Sequence, residues 1–417
     1  MRRASLRCIR RSGPDDAVTS TGATSLVLIF AAIAAAPIIA DLLSRWVRVP
    51  SVVIEIAAGV VLGPALHWVH LDDVINVLAN FGLAALMFLA GMEIDLPRVA
   101  GRPLNMALTG WGISLLLGVG VGVAMIPLDG AHSGLIVGLA ITTTALGTLL
   151  PILRDAGELG TEFGTHVLAG ASVGELGPIV AVSLLLSSER PARTVAVLLG
   201  FVLLTVFAAW IALRGRGQRL TRLIEETLTT SGQLLVRIVV LFLAFMVWVA
   251  FELGLDTLLG AFAAGMVFRL FSAGGSEREA ELVEAKLHGL GFGFLIPIFF
   301  VVSGVKFDLQ AITDDPTLLF FAVGFLALFL VVRGIPAALL YRSGTGAERS
   351  ALALYLATEL PLVVVITSIG VEAGRLEPGK AAALVTAAML SVLIYPVAAG
   401  ALRARTASPA AVEAMDV

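Results

Sequence analysis

The chain has 417 residues, of which 58% are hydrophobic and 14% charged, and its formal net charge is -3. With a mean hydropathy of +0.97, it has too few polar residues to cover a water-soluble domain of this size. The composition therefore indicates that the bilayer is its solvent. It argues against a soluble enzyme and against a nucleic-acid-binding protein.

Apolar segments long enough to cross about 30 Å of hydrocarbon recur along the whole sequence. They predict an all-α polytopic membrane protein with about 13 transmembrane helices, about 20 residues being one span. Residues 1–22 lack the continuous apolar run of a signal peptide and are predicted to be a disordered N-terminal extension, with a misplaced start codon as the alternative. The predicted spans are 25–43, 51–66, 75–92, 104–126, 133–153, 164–188, 193–213, 234–253, 256–272, 286–304, 317–341, 348–372 and 379–402.

The basic residues predict the orientation of the chain. Lys and Arg are concentrated in alternate connections and in the C-terminal tail, and such residues stay on the cytoplasmic side when loops are short. The C-terminus is therefore predicted to be cytoplasmic. The arginines within residues 1–22 conflict with this orientation, because an odd number of spans places that end outside.

Two pairs of segments resemble each other across the chain. FGLAALMFLAGMEIDL begins at Phe81 and GFLIPIFFVVSGVKFDL begins at Gly293, and both end in small-Gly-x-x-x-Asp-Leu. The preceding spans share AAGVVLGP at 57–64 and AAGMVFRL at 263–270. The copies lie seven spans apart, so the second enters the membrane from the opposite side, which predicts an inverted-topology repeat. Chance similarity between Gly-rich apolar helices is the alternative.

Two predicted spans contain residues that interrupt a helix near its middle. In transporters built from inverted repeats, such broken helices face the ion near the midplane, and their freed carbonyls need a partner. A packing kink is the alternative for each. The residues are Thr142, Thr143, Thr144, Gly147 and Pro151 in the fifth span, and Thr358, Glu359 and Pro361 in the twelfth.

Glu175 lies in the middle of the sixth span, within GASVGELGPIV. A charge at that depth is costly unless it is paired or functional. A carboxylate can exchange a proton for a hard cation, so Glu175 is the first candidate for the ion and proton carrier. Thr143, Thr144 and Ser172 are expected to bind the ion with it. A structural salt bridge of Glu175 is the alternative.

Three further charges fall inside predicted spans. Arg333 in the eleventh span is the predicted charge partner, since a guanidinium can neutralise and orient but cannot carry a proton. Glu359 is predicted to join it, either lining the pathway or capping a half-helix, and a structural pair of Arg333 with a helix end or with Glu359 stays open. Glu55 lies near one end of the second span, where snorkelling or a structural pair is the better interpretation. The sequence shows no metal-ligand cluster, no catalytic nucleophile set and no cofactor motif.

In combination, these motifs resemble the monovalent cation/proton antiporters of the Kef-type branch, over about residues 50 to 400. Besides the segments already quoted, TTTALGTLLPILRDAG and TELPLVVVI resemble the two broken helices, and LLGAFAAGM resembles a scaffold segment. The resemblance implies a homodimer in a bacterial inner membrane that exchanges sodium or potassium for a proton. It also implies an elevator motion of a core domain against a dimerising scaffold.

The resemblance also implies a division of the chain. Residues 23–103 and 214–316 are expected to form the scaffold and dimerisation helices. Residues 104–188 and 317–403 are expected to be the two halves of the core transport domain. Residues 189–213 are expected to form a linker helix, and residues 404–417 a C-terminal tail. Because the sequence stops there, gating by nucleotide or glutathione is not expected.

Two departures from the family pattern change the expected chemistry. The family has a polar residue followed by Asp where this chain has Gly174 and Glu175, and a Lys where it has Arg333. One titratable carboxylate then remains, which predicts electroneutral exchange of one cation for one proton. The alternatives are a transporter of an organic ion on the same fold and a degenerate member acting as a membrane sensor or assembly partner.

Overall fold

The protein, in a computed structural model, is described for residues 14–44, 50–93, 99–129, 131–185, 191–214, 233–273 and 277–404. Within these ranges it consists of helices that follow the predicted spans one for one, which confirms the predicted all-α membrane fold. The helices are α1 (Pro14–Ser44), α2 (Ser51–Val60, continued by Val61–Ala65), α3 (Asp73–Glu93), α4 (Arg102–Asp129), α5a (Ala131–Ala140), α5b (Leu146–Asp155), α6 (Glu162–Leu185), α7 (Pro191–Arg214), α8 (Leu234–Glu252), α9 (Thr257–Ala273), α10 (Glu277–Leu290, Gly291–Leu295 and Ile296–Val305), α11 (Thr317–Phe329, Leu330–Gly334 and Ile335–Leu340), α12a (Gly346–Leu356), α12b (Pro361–Glu372) and α13 (Pro378–Ala404).

Length and composition of these helices agree with a multi-pass membrane protein. Among the described residues, eight uninterrupted or nearly uninterrupted helices are long and apolar enough to cross a bilayer. Shorter apolar helices at 51–65, 196–207 and 257–272 add to them. The fifth span is divided into two half-helices, which are individually too short for this test.

Both predicted helix breaks are present. α5a ends at Ala140 and α5b begins at Leu146, while α12a ends at Leu356 and α12b begins at Pro361. Pro361 is well placed at the first position of α12b, because its missing N–H is not needed there. Two of the residues predicted to break the fifth span do not do so: Gly147 and Pro151 follow the break and lie within α5b.

Three helices contain a π-helical turn at a proline. Pro64 lies within the π turn of α2, while Pro297 and Pro336 are each the second residue after the π turns of α10 and α11. A proline lacks an N–H and collides with the carbonyl four residues earlier, so one widened turn lets the helix continue. In α11 that widened turn contains Arg333.

The glycines shared by the two repeats are helix crossing points. α2 crosses α10 where a Cβ added to Gly59 would lie 2.9 Å from the Cα of Gly304, and the reverse distance is the same. α3 crosses α9 where Gly91 and Gly265 each face the backbone of the other helix. The inverted repeat equates Gly59 with Gly265 and Gly91 with Gly304. The two crossings are thus one contact made twice, and close backbone approach explains the shared punctuation.

Substitution at one of these crossings should destabilise the fold. A Cβ at Gly265 would collide with the carbonyl oxygen of Phe88 and lie 2.9 Å from the nitrogen of Met92. We expect Gly265→Ala to cost about 1–3 kcal/mol, the usual range for overpacking, seen as a lower melting temperature in detergent. Gly200→Ala on α7 is the control, because nothing lies within 4 Å of its added Cβ. Equal melting temperatures for both variants would contradict the crossing.

The helices pack into two bundles. α4 to α6 pack with α11 to α13, and α1 to α3 pack with α8 to α10. Between the bundles, the packed pairs are fewer, and include α3 with α5b and α6 with α9. A short helix at Leu309–Asp314 packs against both the π turn of α2 and α13. The Asp308 side chain caps its N-terminus by accepting a hydrogen bond from the Ala311 nitrogen.

Some predictions concern the ends of the chain and one loop. α1 begins at Pro14, so residues 14–22 of the predicted extension are helical. Residues 1–13, Asp95 of the repeated motif and tail residues 405–417 lie outside the described residues.

Candidate ion site

The breaks of α5 and α12 face each other across the core bundle. The Ala145 nitrogen donates to the carbonyl oxygen of Thr358 at 2.8 Å. The Thr144 hydroxyl donates to the carbonyl oxygen of Leu356 at 2.7 Å. Both acceptors are freed by the end of α12a, so each broken helix satisfies backbone groups that the other leaves open.

Glu175 is 1% exposed on α6 and is directed at the break of α5. Its Oε2 accepts a hydrogen bond of 2.8 Å from the nitrogen of Leu146, the first residue of α5b. The preceding residue, Gly174, accepts from the Thr144 nitrogen at 3.1 Å through its carbonyl oxygen. A carboxylate is therefore held at the positive end of a half-helix, as expected for an ion site at a helix break.

Glu359 is a second carboxylate, completely buried in the break of α12. Its Oε2 accepts from the Thr143 hydroxyl at 3.1 Å, and its Oε1 has no hydrogen-bond partner in the described part of the chain. A buried carboxylate oxygen without a partner is costly, so this atom favours the presence of a proton or a cation.

Arg333 is 1% exposed and belongs to the α5 break rather than to either carboxylate. Its Nε donates to the Thr144 hydroxyl oxygen at 2.7 Å, and its Nη2 donates to the carbonyl oxygen of Gly170 on α6. Among the described residues, it makes no ion pair within 4 Å with Glu175 or Glu359. Pairing of Arg333 with Glu175 or with Glu359 stays a prediction, and its hydrogen bonds go to Thr144 and Gly170.

Two predicted site residues stand apart from this cluster. Ser172 is buried on α6, but its hydroxyl makes no hydrogen bond within the described ranges. Glu55 is buried in α2 of the other bundle, where the described residues offer it no ion pair.

Two groups of the site were not predicted. Ser391 on α13 accepts from the Glu359 nitrogen at 2.9 Å and reaches the Glu359 carbonyl oxygen at 2.9 Å. The repeat pairs α13 with α6, so a polar residue near the middle of α13 was a signal available in the sequence. The other unpredicted group is the backbone carbonyl of Gly170. The sequence gives no signal for it, because every residue has a backbone carbonyl.

A group of three or more His, Cys, Asp or Glu that could hold a metal ion does not occur among the described residues. The chemistry on offer is two carboxylates, threonine hydroxyls and one guanidinium, and these suit a monovalent cation or a proton. The sequence profile described as "Sodium/hydrogen exchanger, transmembrane" matches residues 28–402. The chain belongs to the sodium/hydrogen exchanger family.

Relatives within and near this family share the same span of sequence. YjbQ of Bacillus subtilis strain 168 is 27% identical over 414 residues, which cover 93% of this chain and 64% of YjbQ. The Na+/H+-K+ antiporter GerN of Bacillus cereus is 27% identical over 354 residues, 83% of this chain and 88% of GerN. The match to cation/H+ antiporter 17 of Arabidopsis thaliana, 28% identical over 382 residues, covers 84% of this chain and 45% of that protein.

A solved exchanger structure shares the fold. The sodium proton antiporter MjNhaP1 from Methanocaldococcus jannaschii, at pH 8, superimposes with a TM-score of 0.70 and 16% sequence identity. The match covers 92% of this chain and 99% of that one. The chain is therefore an integral multi-pass membrane protein with the architecture of this exchanger.

Proposed function

We propose that this family member is a secondary antiporter that exchanges sodium or potassium for a proton. The observation that supports this most directly is the pair of buried carboxylates, Glu175 and Glu359, at the crossing of two broken helices. The names of its relatives, among them a Na+/H+-K+ antiporter and a Na+/H+ antiporter of Enterococcus hirae, agree with both cations.

The exchange follows from competition for the same oxygen atoms. A cation and a proton cannot occupy one carboxylate together, so loading one releases the other. Glu175 is the proposed carrier, because the α5b terminus holds only its Oε2. Thr143 is a proposed ligand, since its hydroxyl already reaches Glu359. Thr144 instead supports the site, because its hydroxyl is shared between Arg333 and Leu356.

The charge of the site supports electroneutral exchange. With both carboxylates ionised, Glu175, Glu359 and Arg333 sum to a charge of -1. One monovalent cation or one proton neutralises this charge, and a second would leave an excess charge in a buried site. Two carboxylates are present instead of the one expected from sequence, but the guanidinium compensates for one of them.

The two bundles provide the proposed moving parts. The bundle of α4 to α6 and α11 to α13 contains the whole site and is proposed as the core domain. The bundle of α1 to α3 and α8 to α10 is proposed as the scaffold of a homodimer. The sparse packing between them favours an elevator motion of the core. A bacterial inner membrane with a cytoplasmic C-terminus is the proposed setting.

Proton flux in proteoliposomes tests the function. An acid-inside gradient is imposed, a pH-sensitive dye is enclosed, and sodium, potassium or lithium is added outside in separate runs. We expect one or more of these cations to dissipate the gradient, with no dependence on an imposed membrane potential. If none of the three cations dissipates the gradient, the proposed substrate is wrong, and an effect of the membrane potential would contradict electroneutrality.

A further inference from the structure

Position 174 has no room for a side chain. A Cβ added to Gly174 would collide with Nη2 of Arg333 and would lie 2.6 Å from Oγ1 and 2.8 Å from Cβ of Thr144. Real Cβ atoms do not approach other atoms so closely. The space beside Glu175 on the face of α6 that meets the α5 break is therefore already filled.

The group that fills this space comes from another helix. Arg333 reaches in from the π turn of α11, and it is among the largest side chains that are fully buried. Its Nε and Nη2 bind Thr144 and the carbonyl of Gly170, one turn before Gly174. With a Cβ at 174, Nη2 of Arg333 and the side chain of Thr144 would both have to move away from the positions that these hydrogen bonds give them.

Arg333 also acts on the helix crossing through Thr144. The Thr144 hydroxyl oxygen accepts from Arg333, and the same hydroxyl lies within donating distance of two carbonyl oxygens, that of Leu356 at the end of α12a at 2.7 Å and that of Thr143 at 2.8 Å. Because its lone pair is taken by the guanidinium, the hydroxyl proton is directed away from Arg333 and toward a carbonyl. The guanidinium thereby leaves the hydroxyl proton to these carbonyls, the nearer of which, at 2.7 Å, joins the α5 break to the end of α12a.

We propose that Gly174 and Arg333 form one functional unit, in which the glycine provides the space for the guanidinium and Arg333 positions Thr144 at the crossing beside Glu175. The proposal deepens the proposed cation/proton exchange and rests on it for its transport readout. Arg333 is a positioning residue, since it touches neither carboxylate. Arg333 then requires a glycine at position 174, and a substitution at either position alone disturbs the other residue.

A double-mutant cycle tests the unit. The variants are Gly174→Ala, Arg333→Lys and the double variant, compared with Gly324→Ala. Gly324 is on the same helix as Arg333, and nothing lies within 4 Å of its added Cβ. Lys at 333 has a single flexible ammonium without the Nη2 branch, so it can move away from a Cβ at 174. Each variant is measured for cation-dependent proton flux, for the KM of the cation and for its melting temperature.

We expect Gly174→Ala to lower the flux by about tenfold or more, because the added Cβ displaces Arg333 and Thr144. A factor of ten in rate corresponds to about 1.4 kcal/mol. Gly324→Ala should resemble wild type. The double variant should lose no more than the worse single variant and should melt above Gly174→Ala, because part of the collision is removed. If the two single losses multiply in the double variant, or if Gly174→Ala behaves like Gly324→Ala, the unit does not exist.

Failure of this inference can be told from failure of the proposed function. If wild type exchanges no inorganic cation, the function is wrong, but the four melting temperatures still complete the cycle. If Gly174→Ala does not fold, recovery of folded protein in the double variant supports the unit. Loss of folding in both, while Arg333→Lys folds, contradicts it.

Discussion

Glu175→Gln is expected to reduce cation-dependent proton flux to less than about 1% of wild type. This reduction is at least two factors of ten, each of which corresponds to about 1.4 kcal/mol. The amide oxygen of Gln can still accept the hydrogen bond from the Leu146 nitrogen that Glu175 accepts now. The variant therefore keeps the α5b terminus capped and removes only the exchangeable charge. Its melting temperature should stay close to that of wild type, which separates lost chemistry from lost folding.

Glu175→Asp provides the companion measurement. The shorter side chain keeps the charge but withdraws the carboxylate by about one C–C bond, about 1.5 Å, from Leu146. We expect partial flux with a raised KM for the cation. Wild-type flux in Glu175→Gln would show that Glu175 is not the carrier. If both variants fold normally and neither shows flux, both the charge of residue 175 and the length of its side chain are essential.

Glu359→Gln is expected to raise the KM of the cation by about tenfold to a hundredfold while leaving the maximal rate closer to wild type. The change removes one of two buried negative charges, so the site with Glu175 ionised becomes neutral instead of -1. A neutral site attracts a cation less, and each factor of ten corresponds to about 1.4 kcal/mol. The hydrogen bond from Thr143 can be kept by the Gln carbonyl oxygen.

The measurement is the initial rate of proton flux as a function of cation concentration. Glu252→Gln is the matched control, because Glu252 is exposed at the end of α8 in the other bundle. An unchanged KM in Glu359→Gln would show that the orphaned Oε1 holds neither cation nor proton. The side chain of Glu359 would then act only as the acceptor of the hydrogen bond from the Thr143 hydroxyl.

The order and type of the helices could be predicted because the bilayer imposes a length and a composition on each span. Residues such as Glu175 were identifiable for the same reason, since a charge among apolar neighbours is conspicuous and costly. The helix breaks were found from Thr142–Thr144 and Pro361. Gly147 and Pro151 were misplaced because a proline is tolerated within a membrane helix as well as at its break.

The partners of the charged residues could not be predicted, because hydrogen bonds join helices that are far apart in sequence. Arg333 binds Thr144 and Gly170, at separations of 189 and 163 residues. Ser391, the cap of the Glu359 peptide group, differs from any other helical serine only by its place in the repeat. Proximity of this kind follows from how α6, α11 and α13 are packed around the broken helices.

The sequence by itself therefore determined the solvent of the protein, its helices, its repeat and its candidate carrier, because hydrophobicity and spacing are local properties. Only the tertiary structure shows that Arg333 occupies the space that a side chain at Gly174 would need, and that Glu359 is completely buried beside the same broken helices. It also shows where helices cross, at Gly59, Gly91, Gly265 and Gly304. These features depend on which side chain occupies a given volume between two helices, because two atoms cannot occupy the same volume. Such contacts join residues that are far apart in the sequence, so the order of residues does not reveal them directly.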